Sequence, residues 1–327
     1  MPIKVNDIFN IKSEIEFENF ALEVFRYQYQ NNTVYNQFCN QLNRTDLTVK
    51  NVANIPYLPI SFFKTKQVLT NSLESEIIFT SSGTAGTETS KHYVANINLY
   101  KKSYMAAFKH FYGSVSEYCI LALLPAYLER EGSSLIYMVQ DLINKSKHPD
   151  SGFYLNDFKK LQNKLKQLEA SGTKTLLIGV SFALVDMVEK FKFQLNNTIV
   201  METGGMKGRR KEIVREELHH ILKNGFGVKK IHSEYGMTEL LSQAYSVGEG
   251  IFKTPPWMKI IIRDTEDPLS FKPIKKSGGV NIIDLANKES CSFIATQDLG
   301  KVYKDGSFEI LGRFDNSDVR GCNLMAI

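Results

Sequence analysis

Between Thr80 and Lys91 the chain reads Thr-Ser-Ser-Gly-Thr-Ala-Gly-Thr-Glu-Thr-Ser-Lys. These residue types suit an anion. Gly83 and Gly86 let backbone N–H groups approach a ligand closely. The hydroxyls of Thr80, Ser81, Ser82 and Thr84 add donors, and Lys91 brings a compact positive charge. Phosphate is the chemistry such a loop would serve. It is not a Walker A loop, since Lys91 stands five residues after Gly86, whereas that motif places Gly, Lys and Ser/Thr side by side. A polar surface loop has the same composition, so this stretch alone leaves both readings open.

Four other segments carry chemistry-bearing types in short polar runs. They are Pro125-Ala126-Tyr127-Leu128-Glu129-Arg130, Ser181-Phe182, Glu202-Thr203-Gly204-Gly205 and Ser233-Glu234-Tyr235-Gly236-Met237-Thr238-Glu239. Apolar periodicity says what would position them. Strands are expected over 77–79, 119–124, 175–180, 198–201 and 228–232. Helices are expected over 99–111, 133–143, 156–170, 182–191, 209–222 (stopped by Gly225) and 237–244. Alternation of this kind predicts an α/β fold, a mostly parallel sheet flanked by helices. Ligands in such sheets sit beyond the carboxyl ends of the strands, where the polar segments emerge. Residues 6–45 read as helical, with Phe17, Phe20, Ala21, Val24 and Phe25 at helical spacing.

Past residue 250 the pattern changes. Pro255-Pro256-Trp257 marks a break, and short apolar runs follow at 257–262, 279–283, 291–295 and 307–311, with Asp305-Gly306 as a hairpin turn. Two domains follow from this: an α/β core over 1–250 and a small β-rich subdomain over 251–327.

Composition narrows the class. A net charge of +5 over 327 residues, with no long basic run, argues against nucleic acid. No apolar stretch reaches the length of a membrane helix, and no signal-peptide pattern opens the chain. Cys39, Cys119, Cys291 and Cys322 have neither zinc nor disulfide spacing, which points to a reducing cytoplasm.

Taken together, four stretches resemble the adenylate-forming superfamily of acyl-CoA synthetases and luciferases. The Thr80–Lys91 loop is similar to its phosphate loop, and Tyr235-Gly236-Met237-Thr238-Glu239 to its Tyr-Gly-x-Thr-Glu motif. Thr296-Gln297-Asp298 resembles its Thr-Gly-Asp motif, with Gln297 where glycine is usual. Gly312-Arg313-Phe314-Asp315 through Arg320-Gly321 resembles its hinge motif, one residue tighter. Within that superfamily the chain is similar to the LuxE-like acyl-protein synthetases, through Leu123–Arg130 and Glu202–Arg209.

The resemblance implies the large N-terminal domain of adenylate-forming enzymes without the mobile C-terminal domain. It implies a carboxylic acid substrate, with a fatty acid expected, and ATP and Mg²⁺ as cofactors. The phosphates would be held by Thr80, Ser81, Ser82, Gly83, Thr84, Gly86 and Lys91. Glu239 would be the metal ligand, and Thr238 would serve the α-phosphate. Tyr235 and Gly236, with Gly204 and Gly205, would bound the adenine. Asp298 would accept from the ribose, and Arg313 would support ribose or phosphate. Cys322, near the end of the chain, would accept the acyl group and hand it to a partner reductase or transferase.

Bland readings stand beside these. Tyr235 could be a packed aromatic, Glu239 a helix-surface pair, Asp298 a turn residue, Arg313 a surface ion pair and Cys322 a small hydrophobe. His92 and His219 read as surface residues, His232 as a strand-end core residue. At the level of function, a CoA or carrier-protein ligase and a catalytically silent nucleotide- or acyl-binding subunit remain alternatives.

Overall fold

The computed structural model describes residues 5–71, 73–81, 89–124, 132–155, 157–204 and 213–314. The chain forms two compact units, residues 74–255 and residues 1–73 with 256–327. The second unit resumes at Pro256. The N-terminal helices, however, belong with the C-terminal strands rather than with the α/β core. The reason is local packing. Gln28, on the helix Glu14–Asn31, donates to Asn287 O at 3.0 Å and accepts from Ser292 N at 3.1 Å. Asn32 caps the helix Thr33–Gln41 and also donates to Ser290 O at 3.0 Å. The rings of Phe25, Tyr35 and Phe293 meet at 6.0–6.3 Å. Such buried polar pairs and aromatic contacts link segments far apart in sequence, which local periodicity does not register.

In the 74–255 unit, five strands run parallel in the order Gly152–Phe153, Cys119–Leu123, Thr175–Val180, Thr198–Thr203 and His232–Tyr235. Ala244–Ser246 and Phe252–Lys253 extend the sheet antiparallel. Cys119–Leu123 and Thr175–Val180 are buried at every position, as continuous apolar runs in a covered parallel sheet should be. Three helices lie at the expected places. Ile97–Tyr112 is capped by Asn96, Ser134–Ser146 by Ser133 and Phe158–Ala170 by Asp157. On the last of these, Leu161, Leu165 and Leu168 form the buried stripe.

Four expectations are corrected. Ile77–Thr80 is not a strand of the main sheet. It pairs antiparallel with Lys91–Val94 in a separate two-stranded ribbon, and only Phe79 of it is buried. The helix expected over 209–222 runs from Arg215 to Phe226. Its αL cap is Gly227, at φ +66°, and Gly225 lies inside it, where a Cβ would meet Val188 Cβ at 2.3 Å. That glycine permits helix contact instead of ending a helix. The strand expected over 228–232 is His232–Tyr235, because polar Ser233 and Glu234 are buried there by their neighbours. No helix forms over 237–244. Leu240, Leu241, Ser242 and Gln243 are all buried, so no polar helix face remains.

In the other unit, Met258–Arg263, Ser277–Asp284, Phe293–Val302 and Phe308–Arg313 form an antiparallel sheet in chain order. Leu58–Pro59 adds to it in parallel beside Ile294 and Ala295. The turn at Asp305-Gly306 has Gly306 at φ +80°.

Candidate active site

Thr80, Lys91, Tyr235, Asp298 and Arg313 are held by strand pairing. Thr80 and Lys91 face each other across the ribbon. Ser81 N donates to Ser90 O at 3.0 Å, and Ser81 Oγ accepts from Ser90 N at 2.9 Å. These bonds close the neck of the phosphate-type loop. Ser82, Gly83, Thr84 and Gly86 within it lie outside the described residues, as do Gly205 and Cys322. Lys91 is exposed and forms no ion pair among the described residues. Such a cation keeps its charge free for a ligand.

His92 follows Lys91 but is fully buried, contrary to its surface reading. Its Nδ1 lies 2.8 Å from Thr238 O. A carbonyl only accepts, so Nδ1 carries the proton. This bond ties the ribbon to the segment Tyr235-Gly236-Met237-Thr238-Glu239. In that segment Tyr235 is half-buried and packs edge-on against Phe252, with ring centroids 5.9 Å apart. Thr238 is half-buried, and Glu239 is 4 % exposed in a turn, not on a helix surface.

Behind this segment lies a network that sequence reasoning missed. Thr203 and Glu234 are register partners on adjacent strands. Thr203 Oγ1 donates to Glu234 Oε2 at 2.5 Å. Burial pushes the Glu234 carboxyl up to about 7; the Thr203 bond opposes this, and the Glu202 charge adds to it. A Cβ on Gly236 would meet Glu234 Oε1 at 2.5 Å, so glycine is what lets that carboxylate approach.

Glu202 is buried too, yet it is held below the usual range. Burial raises it, but His219 at 3.5 Å, Arg215 at 3.9 Å and the Ser233 hydroxyl together outweigh burial. His219 is therefore a buried partner, not a surface residue. Ser181 Oγ lies 2.7 Å from Gly204 O and 3.2 Å from Glu202 Oε2. It fixes Gly204, which sits at φ +64°. The two neighbouring carboxylates thus have opposite pKa shifts. The signal available in sequence was a glutamate near the carboxyl end of each of two adjacent strands. His232 is kept neutral: burial and Lys230 lower it to about 4.

Asp298 and Arg313 come together in the other unit. They are register partners, with Arg313 Nε 3.3 Å from Asp298 Oδ1. Asp298 N donates to Thr296 Oγ1 at 3.1 Å. Asp298 therefore lies in a strand, not a turn. The Arg313 side chain is 70 % exposed, so the pair itself contributes little stability.

The profile of the family described as "Acyl-protein synthetase, LuxE" matches residues 8–326. The chain belongs to the LuxE family of acyl-protein synthetases. This membership places it among the ligases that activate an acid for acyl transfer. A long-chain-fatty-acid–luciferin-component ligase of Vibrio harveyi is 24% identical over 326 residues, 92% of this chain and 84% of that protein. A protein of the same name from Photorhabdus luminescens is 37% identical over 70 residues, 21% of this chain and 60% of that one.

Among solved structures, ATP-bound MatB from Rhodopseudomonas palustris superposes with a TM-score of 0.55 at 17% identity, over 72% of this chain. The chain spans about half the length of that structure, 47%. A 2-hydroxyisobutyryl-CoA ligase bound to its acyl-adenylate and CoA gives 0.67 at 11% identity, over 93% of this chain and 70% of the ligase. At these identities the likeness shows the fold. The α/β architecture expected from sequence is that fold.

Among the described residues no helix is long and apolar enough to cross a membrane, and no group of three His, Cys, Asp or Glu could hold a metal.

Proposed function

We propose that this LuxE-family ligase uses ATP to convert a fatty acid into its acyl-adenylate, then passes the acyl group to a protein thiol, its own Cys322. In the first step a carboxylate oxygen attacks the α-phosphorus and pyrophosphate leaves. In the second a thiolate attacks the acyl carbonyl carbon, a C–S bond forms, and AMP leaves with the C–O electron pair.

The reading rests most on the His92–Thr238 bond. It brings the strand that starts at Lys91 to the segment that ends at Glu239. Lys91 would neutralise the β- and γ-phosphates with Thr80, Ser81 and the loop between. Thr238 would donate to the α-phosphate, where charge develops. Tyr235 would stack on adenine, with Gly204 passing beside it. Asp298 would accept from the ribose, supported by Arg313. One carboxylate, Glu239, suits Mg²⁺, which is held by one or two carboxylates together with substrate phosphates.

The identity of the acceptor rests on the other thiols. Cys39, Cys119 and Cys291 are buried. Burial pushes Cys39 to about 12 and Cys119 to about 11, and raises Cys291 as well. Such thiols are poor nucleophiles. Cys322 is the fourth cysteine of the chain. The fatty acid and the cytoplasmic setting are drawn from the luciferin-component ligases and the cysteine content.

The test is intact-protein mass spectrometry after incubation with ATP, Mg²⁺ and a panel of fatty acids. An ATP-dependent acyl mass on the wild type, absent from Cys322→Ser, is expected. Pyrophosphate exchange without any acyl mass would move the acceptor to CoA or a carrier. Absence of exchange with any acid would leave a silent subunit.

A further inference from the structure

The unit that joins the N-terminal helices to the C-terminal strands holds a cavity of about 550 Å³. Small-molecule sites span roughly 300–1,000 Å³. Its walls are mainly apolar: Phe38, Leu42, Tyr57, Ile60 and Phe271. Two guanidiniums also line it. Arg44 is half-buried and forms no ion pair among the described residues. Among the described residues Arg263 donates to Val280 O at 2.8 Å, Asn281 Oδ1 at 2.9 Å and Thr296 O at 2.6 Å, and it also feels the charge of Asp298.

One carboxylate, Asp267, is present in the wall. It is engaged locally, accepting from Leu269 N at 3.2 Å and Ser270 Oγ at 2.5 Å. The lining therefore carries two cations against one anion. A half-buried arginine without an ion pair among the described residues keeps its planar, forked donors for a carboxylate.

The cavity is separate from the Asp298–Arg313 pair. Ala295, Thr296 and Gln297 line it from the strand Phe293–Val302, and neither Asp298 nor Arg313 is among its lining residues.

We propose that this cavity binds a linear amphiphilic carboxylate, its chain against Phe38, Leu42 and Phe271 and its head at Arg44. The site is additional to that of acid activation and does not depend on it.

The test is calorimetric titration of the nucleotide-free protein with dodecanoate, and with dodecyltrimethylammonium as the cation of equal chain length, both below micellar concentration. Variants Arg44→Glu and Ala53→Trp are compared. Ala53 lines the cavity and is exposed, so the tryptophan fills space without burying new backbone. The expected result is that each variant binds one dodecanoate fewer, or at least tenfold more weakly at one site, while the cation does not bind there. If the activation site also takes dodecanoate, the wild-type count is two and falls to one; if it does not, one falls to zero. Unchanged titrations in both variants, equal binding of the cation, or no binding to the wild type would overturn the proposal.

Discussion

His92 Nδ1 donates to the backbone oxygen of Thr238 across 2.8 Å, from a side chain with no exposed surface. A two-stranded ribbon outside the main sheet is thereby fixed to the polar segment that follows the strand His232–Tyr235. Replacing His92 with Phe keeps the bulk but leaves that carbonyl unpaired. Losing one such hydrogen bond costs about 0.5–1.5 kcal/mol. The expected outcome is a lower denaturation midpoint, together with pyrophosphate exchange at least tenfold slower at saturating ATP.

Lys91 offers the converse case. It is exposed and without an ion pair among the described residues, so Lys91→Ala should melt within the error of the wild type. Its effect should fall on ATP, with kcat/KM for exchange reduced tenfold or more. Normal exchange in this variant would remove the phosphate role.

Glu234 predicts a pH dependence. Its folded pKa, about 7, lies above the ordinary value of 4.5. Between those values the folded state binds more protons than the unfolded chain. Stability from this group is therefore fully present below about pH 4.5 and lost as pH rises toward 7, on the order of 3 kcal/mol. Glu202, shifted downward, acts only below that window. Glu234→Gln keeps an acceptor for Thr203 and removes the proton exchange. His232, lowered to about 4, adds stability in both proteins as pH rises toward 6.5, so the readout of denaturant titrations from pH 5 to 8 is the difference: the wild type should lose stability relative to Glu234→Gln as pH rises, and parallel lines would refute it.

The helix contact at Gly225 is a packing prediction. A methyl there would meet the Val188 side chain at 2.3–2.9 Å. Overpacking of this kind costs about 1–3 kcal/mol. Gly152→Ala is the control, because nothing lies within 4 Å of a Cβ at that position. Thermal melts should separate the two.

Tyr57 predicts the opposite sign. Its hydroxyl is buried without a hydrogen-bond partner among the described residues. Tyr57→Phe removes a desolvated polar group and keeps the ring against Phe271 and Phe293. The melting temperature should hold or rise; a clear fall would reveal an unseen partner.

Sequence alone determined three of the parallel strands, Cys119–Leu123, Thr175–Val180 and Thr198–Thr203, and the helices that pack beside them up to residue 190. Thr175–Val180 and Phe158–Ala170 are legible because burial on both faces of a strand, or one face of a helix, writes a periodic apolar pattern. The motifs at Tyr235–Glu239 and Thr296–Asp298 were legible for another reason: their residue types and order are unusual enough to resemble a family. Tertiary structure decided the rest. His232–Tyr235 reads as polar, yet it is a strand, since Thr203 and Glu202 beside it supply partners for its buried groups. The run 237–244 has a helical pattern, yet burial of all of Leu240–Gln243 leaves no solvent face. His92 and His219 look like surface residues until a carbonyl and a carboxylate, each far away in sequence, come to meet them. Interactions between distant residues leave no period in the sequence, so only the folded chain could show them.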